Sequence, residues 1–304
     1  ARLAPLDELA RPCLGAAAVL GRSFDLGLLV RTSGRSEDEV VAGLEELVAR
    51  RLVEERAGRR DGEVDYDFTH TKLRDVAYTT ASLARRRLLH RRAAEAIGAR
   101  AADDPSTAAQ VARHYALAGR EAEAADHHVR AGEHARSLYA HREAIEHLET
   151  ALALGHPDLA RIHRHLGDLH ALAGRYAEAA TAYELAGAHV TDDAERARIE
   201  HRTGRLHLRR GAWARAAHHL DRALALFGDT GGCHVPRVRA DRAVACARQG
   251  ELERAEVEAS AAVTDAEACG DPTTIALAHN TAGLVARHRG DTPRALEHLA
   301  VALA

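Results

Sequence analysis

The chain has 304 residues, and a composition with 67 Ala and 3% aromatics is that of long helices packed through small side chains, not of an aromatic-filled β core. Of its 42 basic residues only Lys72 is a lysine, and it sits in Thr-Lys-Leu with no glycine-rich run before it. A phosphate-cradling loop ending in Gly-Lys-Ser/Thr is therefore excluded from this chain, as are Schiff-base and Ser-Lys mechanisms that do not use Lys72. A formal net charge of -3 gives no bulk attraction to nucleic acid or an anionic membrane, and no apolar run approaches the ~20 residues of a membrane span.

Residues 1–80 come first and read as a winged helix. Apolar residues from Leu9 to Leu20 predict one helix and those from Phe24 to Val30 a second. Ser36-Glu-Asp-Glu39 opens a third, with Ser36 as N-cap and Glu39 completing a capping box. Two alternating segments, Leu52 to Arg56 and Val64 to Thr69, predict strands joined by a turn from Ala57 to Glu63. The third helix carries Glu37, Asp38, Glu39, Glu45 and Glu46 against only Arg50 and Arg51 at its far end. It would repel phosphates, so direct DNA binding by this module is not expected and a joint between domains is. Residues 81–118 follow as a helical linker and the start of a solenoid. The Arg85–Arg92 cluster within them could meet an acidic partner or nucleic acid, but pairing with neighbouring acids is the simpler expectation.

From residue 119 to 304 the chain repeats itself. Gly-Arg-Tyr-Ala-Glu-Ala (174–179), Gly-Ala-Trp-Ala-Arg-Ala (211–216), Gly-Glu-Leu-Glu-Arg-Ala (250–255) and Gly-Asp-Thr-Pro-Arg-Ala (290–295) recur every 37 to 40 residues. Twelve residues before each closing Ala stand Gly167, Gly204, Ala243 and Gly283; seven after it stand Ala186, Ala223, Ala262 and Ala302. Gly132, Ala144 and Ala151 form an earlier copy. Two antiparallel helices approach closely only where neither side chain is large, and Leu148, Tyr183 and Leu220 lie where they would fill the remaining layer. Helices are expected at 105–117, 120–138, 141–154, 157–173, 176–190, 193–210, 213–228, 235–249, 252–269, 272–289 and 292–304. The last lacks the polar outer face of a capping helix, so the array is expected to continue.

This pattern resembles the tetratricopeptide repeat, with a slightly longer unit and with His170 and His207 at the usual Tyr position. The fold class is thus mostly α, an N-terminal winged helix followed by an α-α superhelical solenoid. In such stacks the first helix of each pair lines a groove. With Gly167, Gly204 and Ala243 as phase markers, the positions six and three before them and one after give Arg161, Arg164, Asp168, Arg198, His201, Arg205 and Arg237. Five arginines there could hold carboxylates or phosphates through forked hydrogen bonds; the alternative is a solvated charged face.

Other chemistry is sparse. The cysteines, Cys13, Cys233, Cys246 and Cys269, show no C-x-x-C spacing, so reduced thiols and a cytoplasmic location are expected. Among 21 histidines no two are three or four apart, the spacings that put two imidazoles on one helical face, and no metal site is expected unless helices assemble one. There is no Gly-x-Ser-x-Gly elbow and no His-Glu-x-x-His helix, so no catalytic residues are assigned. The absence of Met points to a lost initiator or an internal piece of a longer protein.

A second resemblance rests on four segments: Leu-Gly-Arg-Ser-Phe-Asp (20–25), Leu-Glu-Glu-Leu-Val-Ala-Arg-Arg-Leu-Val-Glu-Glu (44–55), Phe-Thr-His-Thr-Lys-Leu-Arg-Asp-Val-Ala-Tyr (68–78) and Arg-Arg-Arg-Leu-Leu-His-Arg-Arg-Ala-Ala-Glu-Ala-Ile (85–97). They resemble the region after the ATPase module in STAND-class signal-transduction ATPases, bacterial regulators in which a tetratricopeptide arm follows a winged helix. The resemblance implies no cofactor in this chain, with ATP or ADP held by an upstream ATPase module. It implies an inducer or partner protein in the repeat groove, and nucleotide-dependent oligomerisation. It also implies that His70, near the last winged-helix strand, touches the ADP β-phosphate, although Thr71 stands where the family often has an acid. The alternative for His70 is a bond to local backbone at a strand-to-helix junction. A freestanding peptide-binding scaffold without a nucleotide switch is the competing function.

Overall fold

The computed structural model describes residues 6–57, 64–100 and 104–303, in two compact units divided between Pro157 and Asp158. Among the described residues there are sixteen α-helices and one three-stranded sheet.

The first unit opens with α1 (Ala10–Leu20), β1 (Ser23–Asp25), α2 (Leu26–Ser33), α3 (Glu37–Ala49), β2 (Val53–Ala57) and β3 (Val64–Phe68). The sheet is antiparallel in the order β1-β3-β2, with Phe24 opposite Tyr66 and Glu55 opposite Tyr66 from the other side. The expected capping box is present: Ser36 and Glu39 exchange side-chain and backbone bonds at the start of α3. The helix expected from Phe24 begins instead at Leu26. Asp25 caps it by accepting the Leu28 N–H at 2.9 Å, which leaves Ser23–Asp25 extended to pair with β3. The expected turn falls largely outside the described residues. Leu29, Leu47, Leu52, Phe68 and Leu89 are fully or almost fully buried in one core beneath the sheet.

Four more elements complete this unit after α4 (Thr71–Thr80): α5 (Leu83–Arg100), α6 (Ala108–Ala118), α7 (Glu121–Ser137) and α8 (His141–Ala153). The arginines of α5 are used in several ways. Arg92 donates to the Ser33 carbonyl at 2.8 Å, Arg86 lies over the Tyr78 ring at 5.1 Å and Arg91 pairs with Glu95.

The second unit is eight helices in four antiparallel hairpins: α9 (Leu159–Leu172) with α10 (Tyr176–Ala188), α11 (Asp193–Arg209) with α12 (Trp213–Phe227), α13 (His234–Gln249) with α14 (Leu252–Cys269), and α15 (Pro272–His288) with α16 (Thr292–Leu303). The repeating Gly marks the hairpin turn. Gly250, with φ 84, occupies the left-handed region and its N–H bonds back to the end of α13, a conformation an L side chain adopts at a cost.

The recurring small residues are where the helices touch. A Cβ at Gly132 would meet Leu148 at 3.0 Å, at Gly167 Tyr183 at 2.5 Å, at Gly204 Leu220 at 2.8 Å and at Gly283 Leu299 at 3.2 Å. The hairpin with Ala243 has Ala259 at the corresponding position, both buried. A methyl is tolerated at Ala243 because the facing position, Ala259, carries no large filler for it to meet.

One expectation is corrected. Cys233 and Cys269 are joined in a disulfide, with Cα atoms 5.4 Å apart, while Cys13 and Cys246 are free and buried. The reason is hairpin symmetry: Cys233 begins α13 and Cys269 ends α14, so antiparallel pairing returns the chain to its start.

Candidate functional site

The first helices of the four hairpins of the second unit, α9, α11, α13 and α15, are linked to one another by charged side chains, and most of the expected groove residues lie in these links. Between α9 and α11, Arg202 Nε donates to Asp168 Oδ1 at 3.1 Å, and the same oxygen accepts the Tyr183 hydroxyl at 2.8 Å. Between α11 and α13, His201 Nε2 lies 2.7 Å from Asp241 Oδ2, with Arg205 Nε 3.7 Å from that oxygen. An ionised carboxylate can only accept, so the His201 proton is on Nε2. Between α13 and the start of α15, Arg237 donates through Nε to Thr274 Oγ1 at 2.8 Å and through Nη2 to Asp271 Oδ2 at 3.0 Å.

Asp168, His201, Arg205 and Arg237 thus serve first as staples between successive hairpins. Arg198 is paired with Glu195 one turn earlier on its own helix. Arg161 is exposed on α9, its backbone N–H capped by Asp158 at 3.0 Å, and Arg164 is half-buried on the same helix. Partly exposed pairs of this kind contribute about 0–1 kcal/mol each. Their effect is on register more than on stability. The structure brings Arg198, His201, Arg205 and Arg237 to neighbouring helices around Asp241 and His234. It does not leave five arginines equally available to one ligand.

Four participants escaped the sequence pattern: Arg202, Asp241, Asp271 and Thr274. Arg202 and Asp241 both stand two residues before their phase marker, a position the groove rule omits. Opposite charges about one repeat apart, Asp168 with Arg202 and His201 with Asp241, were the available signal.

Positive charge converges on His234. Its ring stacks on Phe227 with centroids 5.6 Å apart, and burial holds its pKa below the ordinary value. The charges of Arg198, Arg237, His201 and Arg202 push it further down. The cationic share of that shift marks Arg198, Arg202 and Arg237 as lying close to His234.

His70 stands apart from this cluster, in the first unit. It is the N-cap of α4, exposed, and its imidazole makes no capping bond, so the alternative of a histidine satisfied by local backbone is not what the geometry shows. Among the described residues no group of three or more His, Cys, Asp or Glu is placed to share a metal ion, and no helix is long and apolar enough to cross a membrane.

No protein-family model and no curated protein matches the chain. Among solved structures, it is similar to a STAND protein with a tetratricopeptide repeat sensor from Pyrococcus horikoshii, at a TM-score of 0.53 and 14% identity. The match covers 98% of this chain and 44% of that one, so this chain spans less than half of that protein. It is also similar to PilF of Pseudomonas aeruginosa, at a TM-score of 0.50 and 18% identity over 71% of this chain and 90% of that one. At these identities the likeness is one of fold: an array of tetratricopeptide-like helical hairpins.

Proposed function

We propose that this chain is the regulatory and sensor region of a STAND-type signalling ATPase of the transcriptional-regulator kind. In this reading the hairpin array binds an inducer or partner protein, and the N-terminal three-helix module acts as a winged-helix joint to a nucleotide switch outside the chain. The observation that carries it is the order of parts: α1 to β3 form a small helix-and-sheet module with His70 exposed at its end, and helical hairpins follow directly. The acidic start of α3, with Glu37 and Asp38 exposed, supports a joint and not a DNA reader. The reading places the chain in the cytoplasm, where the Cys233–Cys269 bond would have to persist against a reducing thiol pool.

The test has two parts. The parent protein is expected to carry a Gly-x4-Gly-Lys-Ser/Thr loop upstream of Ala1 and to lose retained ADP on His70→Ala. A parent without that loop overturns the switch and leaves a freestanding scaffold, and undiminished ADP retention removes His70 from the nucleotide.

For the sensor face, Arg161 and Arg164 on α9 and Arg198 on α11, the last among the cations near His234, are the proposed contacts for an anionic group of the inducer or partner. Substituting Arg161, Arg164 and Arg198 by Glu together is expected to weaken inducer or partner binding at least tenfold, measured by calorimetry. Unchanged affinity would place the site elsewhere.

A further inference from the structure

The first unit contains a cavity of about 430 Å³ between α1, α4 and α5, remote in sequence from the sensor face. That is within the range of pockets that hold small molecules, about 300–1,000 Å³. Its floor is apolar, from Leu14, Ala77 and Leu89, and its lining includes Arg11, Arg35 and Arg85 and, among the described residues, no Asp or Glu.

Two features set it apart from a packing defect. Gly15 lies inside α1, where glycine costs about 0.5–1 kcal/mol relative to alanine, yet a Cβ there would meet nothing nearer than Leu89 Cδ1 at 3.9 Å. The helix therefore forgoes a side chain that packing would admit, at a position that lines the cavity. The three arginines also differ in their commitments. Arg35 pairs with Glu39 at 2.7 Å and Arg11 reaches the Leu6 carbonyl at 3.4 Å. Among the described residues the Arg85 guanidinium has no hydrogen bond or ion pair, though it is half-buried. A forked donor at the mouth of an apolar pocket matches a carboxylate or phosphate on an apolar body.

We propose that this cavity binds a small amphipathic anion, its chain or ring against Leu14 and Leu89 and its head group on Arg85. The site is independent of the sensor-face reading. The ligand joins α1, α4 and α5, and so stiffens the junction between the sheet module and the first hairpins of this unit.

The experiment is calorimetric titration of the 304-residue chain with sodium decanoate, decyl phosphate and 1-decanol below their aggregation limits. Decanoate, decyl phosphate or both are expected to bind, and which of them does assigns the head group. Arg85→Glu is expected to weaken the anions at least tenfold and leave 1-decanol unchanged. Gly15→Leu is expected to abolish all binding without lowering the unfolding temperature; should it destabilise the unit, Ala81→Leu fills the cavity from the opposite wall and takes its place. No binding by either anion overturns the proposal, as does anion binding that neither Arg85→Glu nor a cavity-filling variant changes.

Discussion

Replacing Gly167 by alanine is expected to destabilise the second unit by about 1–3 kcal/mol, the range of core overpacking, although the same change inside an unobstructed helix is stabilising. The added Cβ would lie 2.5 Å from Cδ1 and Cε1 of Tyr183 and 3.1 Å from its Cζ. A flexible side chain at that distance could rotate away. This ring cannot, because its hydroxyl is bonded to Asp168 at 2.8 Å and Asp168 is in turn held by Arg202 at 3.1 Å. Relief therefore requires α9 and α10 to separate, which opens the layer of Ala179, Tyr183, Ala186, Ile199 and Leu206. The chain itself contains the compensated arrangement, since Ala243 faces the hairpin that has Ala259 in place of a large filler. Urea unfolding of Gly167→Ala, Tyr183→Ala and the double variant should give a coupling energy of about 1–3 kcal/mol, with the glycine change costing little once the ring is gone. Gly98→Ala serves as control. That residue lies inside α5 with nothing within 4 Å of its Cβ position, so a gain of about 0.5–1 kcal/mol is expected. Wild-type stability for Gly167→Ala would mean that the helices are not in contact there.

The same contact explains what could be read in the sequence. Close approach of two helices restricts residue size at fixed positions, and that restriction recurs along the array, so Gly132, Gly167, Gly204 and Gly283 were visible, the first three with Leu148, Tyr183 and Leu220, which face them. The helix bounds followed to within a few residues. β1 was hidden because three residues carry no periodicity and Phe24 is apolar in either assignment; only Asp25, as a helix cap, separates the two. The disulfide required the hairpin to be folded before the ends of α13 and α14 became neighbours. The charged links of the sensor face depend on how one hairpin is set against the next. A phase rule taken from a single helix found His201 and Arg237 but assigned them to a ligand, where the structure gives them Asp241, Asp271 and Thr274. The cavity of the first unit lies between α1 and the α4–α5 segment some fifty residues further on, and no local pattern marks it.

The first unit should lose stability as pH falls from 7 towards 4, through the buried pair His90 and His114. Their Nδ1 atoms are 2.9 Å apart, and His90 Nε2 is 2.9 Å from the Tyr78 hydroxyl. His114 Nε2 is buried without a partner. An orphaned donor is rarer in proteins than an orphaned acceptor, so the proton of His114 belongs on Nδ1, donated to His90 Nδ1, and the His90 proton on Nε2, donated to Tyr78. Both rings are then neutral, and neither can accept a proton without losing an accepted bond or charging a dry site. Burial, with Arg113 and Arg86 nearby, lowers His90 to about 4; burial, with His90 and Arg113, lowers His114 to about 3. The folded pKa values lie below the unfolded value near 6.5, so the unfolded chain binds more protons throughout that interval, and stability is full above about pH 6.5 and falls with pH below it. At pH 4 the loss from His114 alone is roughly 3 kcal/mol. His128 and His298, in two other hairpins, are lowered in the same direction by burial and by His147 and His279. The decisive comparison is therefore of slopes. Urea midpoints of the wild type and of His90→Phe/His114→Leu, measured between pH 7 and 5 where carboxylates stay ionised, should show the double variant less sensitive to acid. Equal slopes would mean that this pair stays neutral in the unfolded chain or takes up protons in the folded one, and either result would remove it as the acid-labile element.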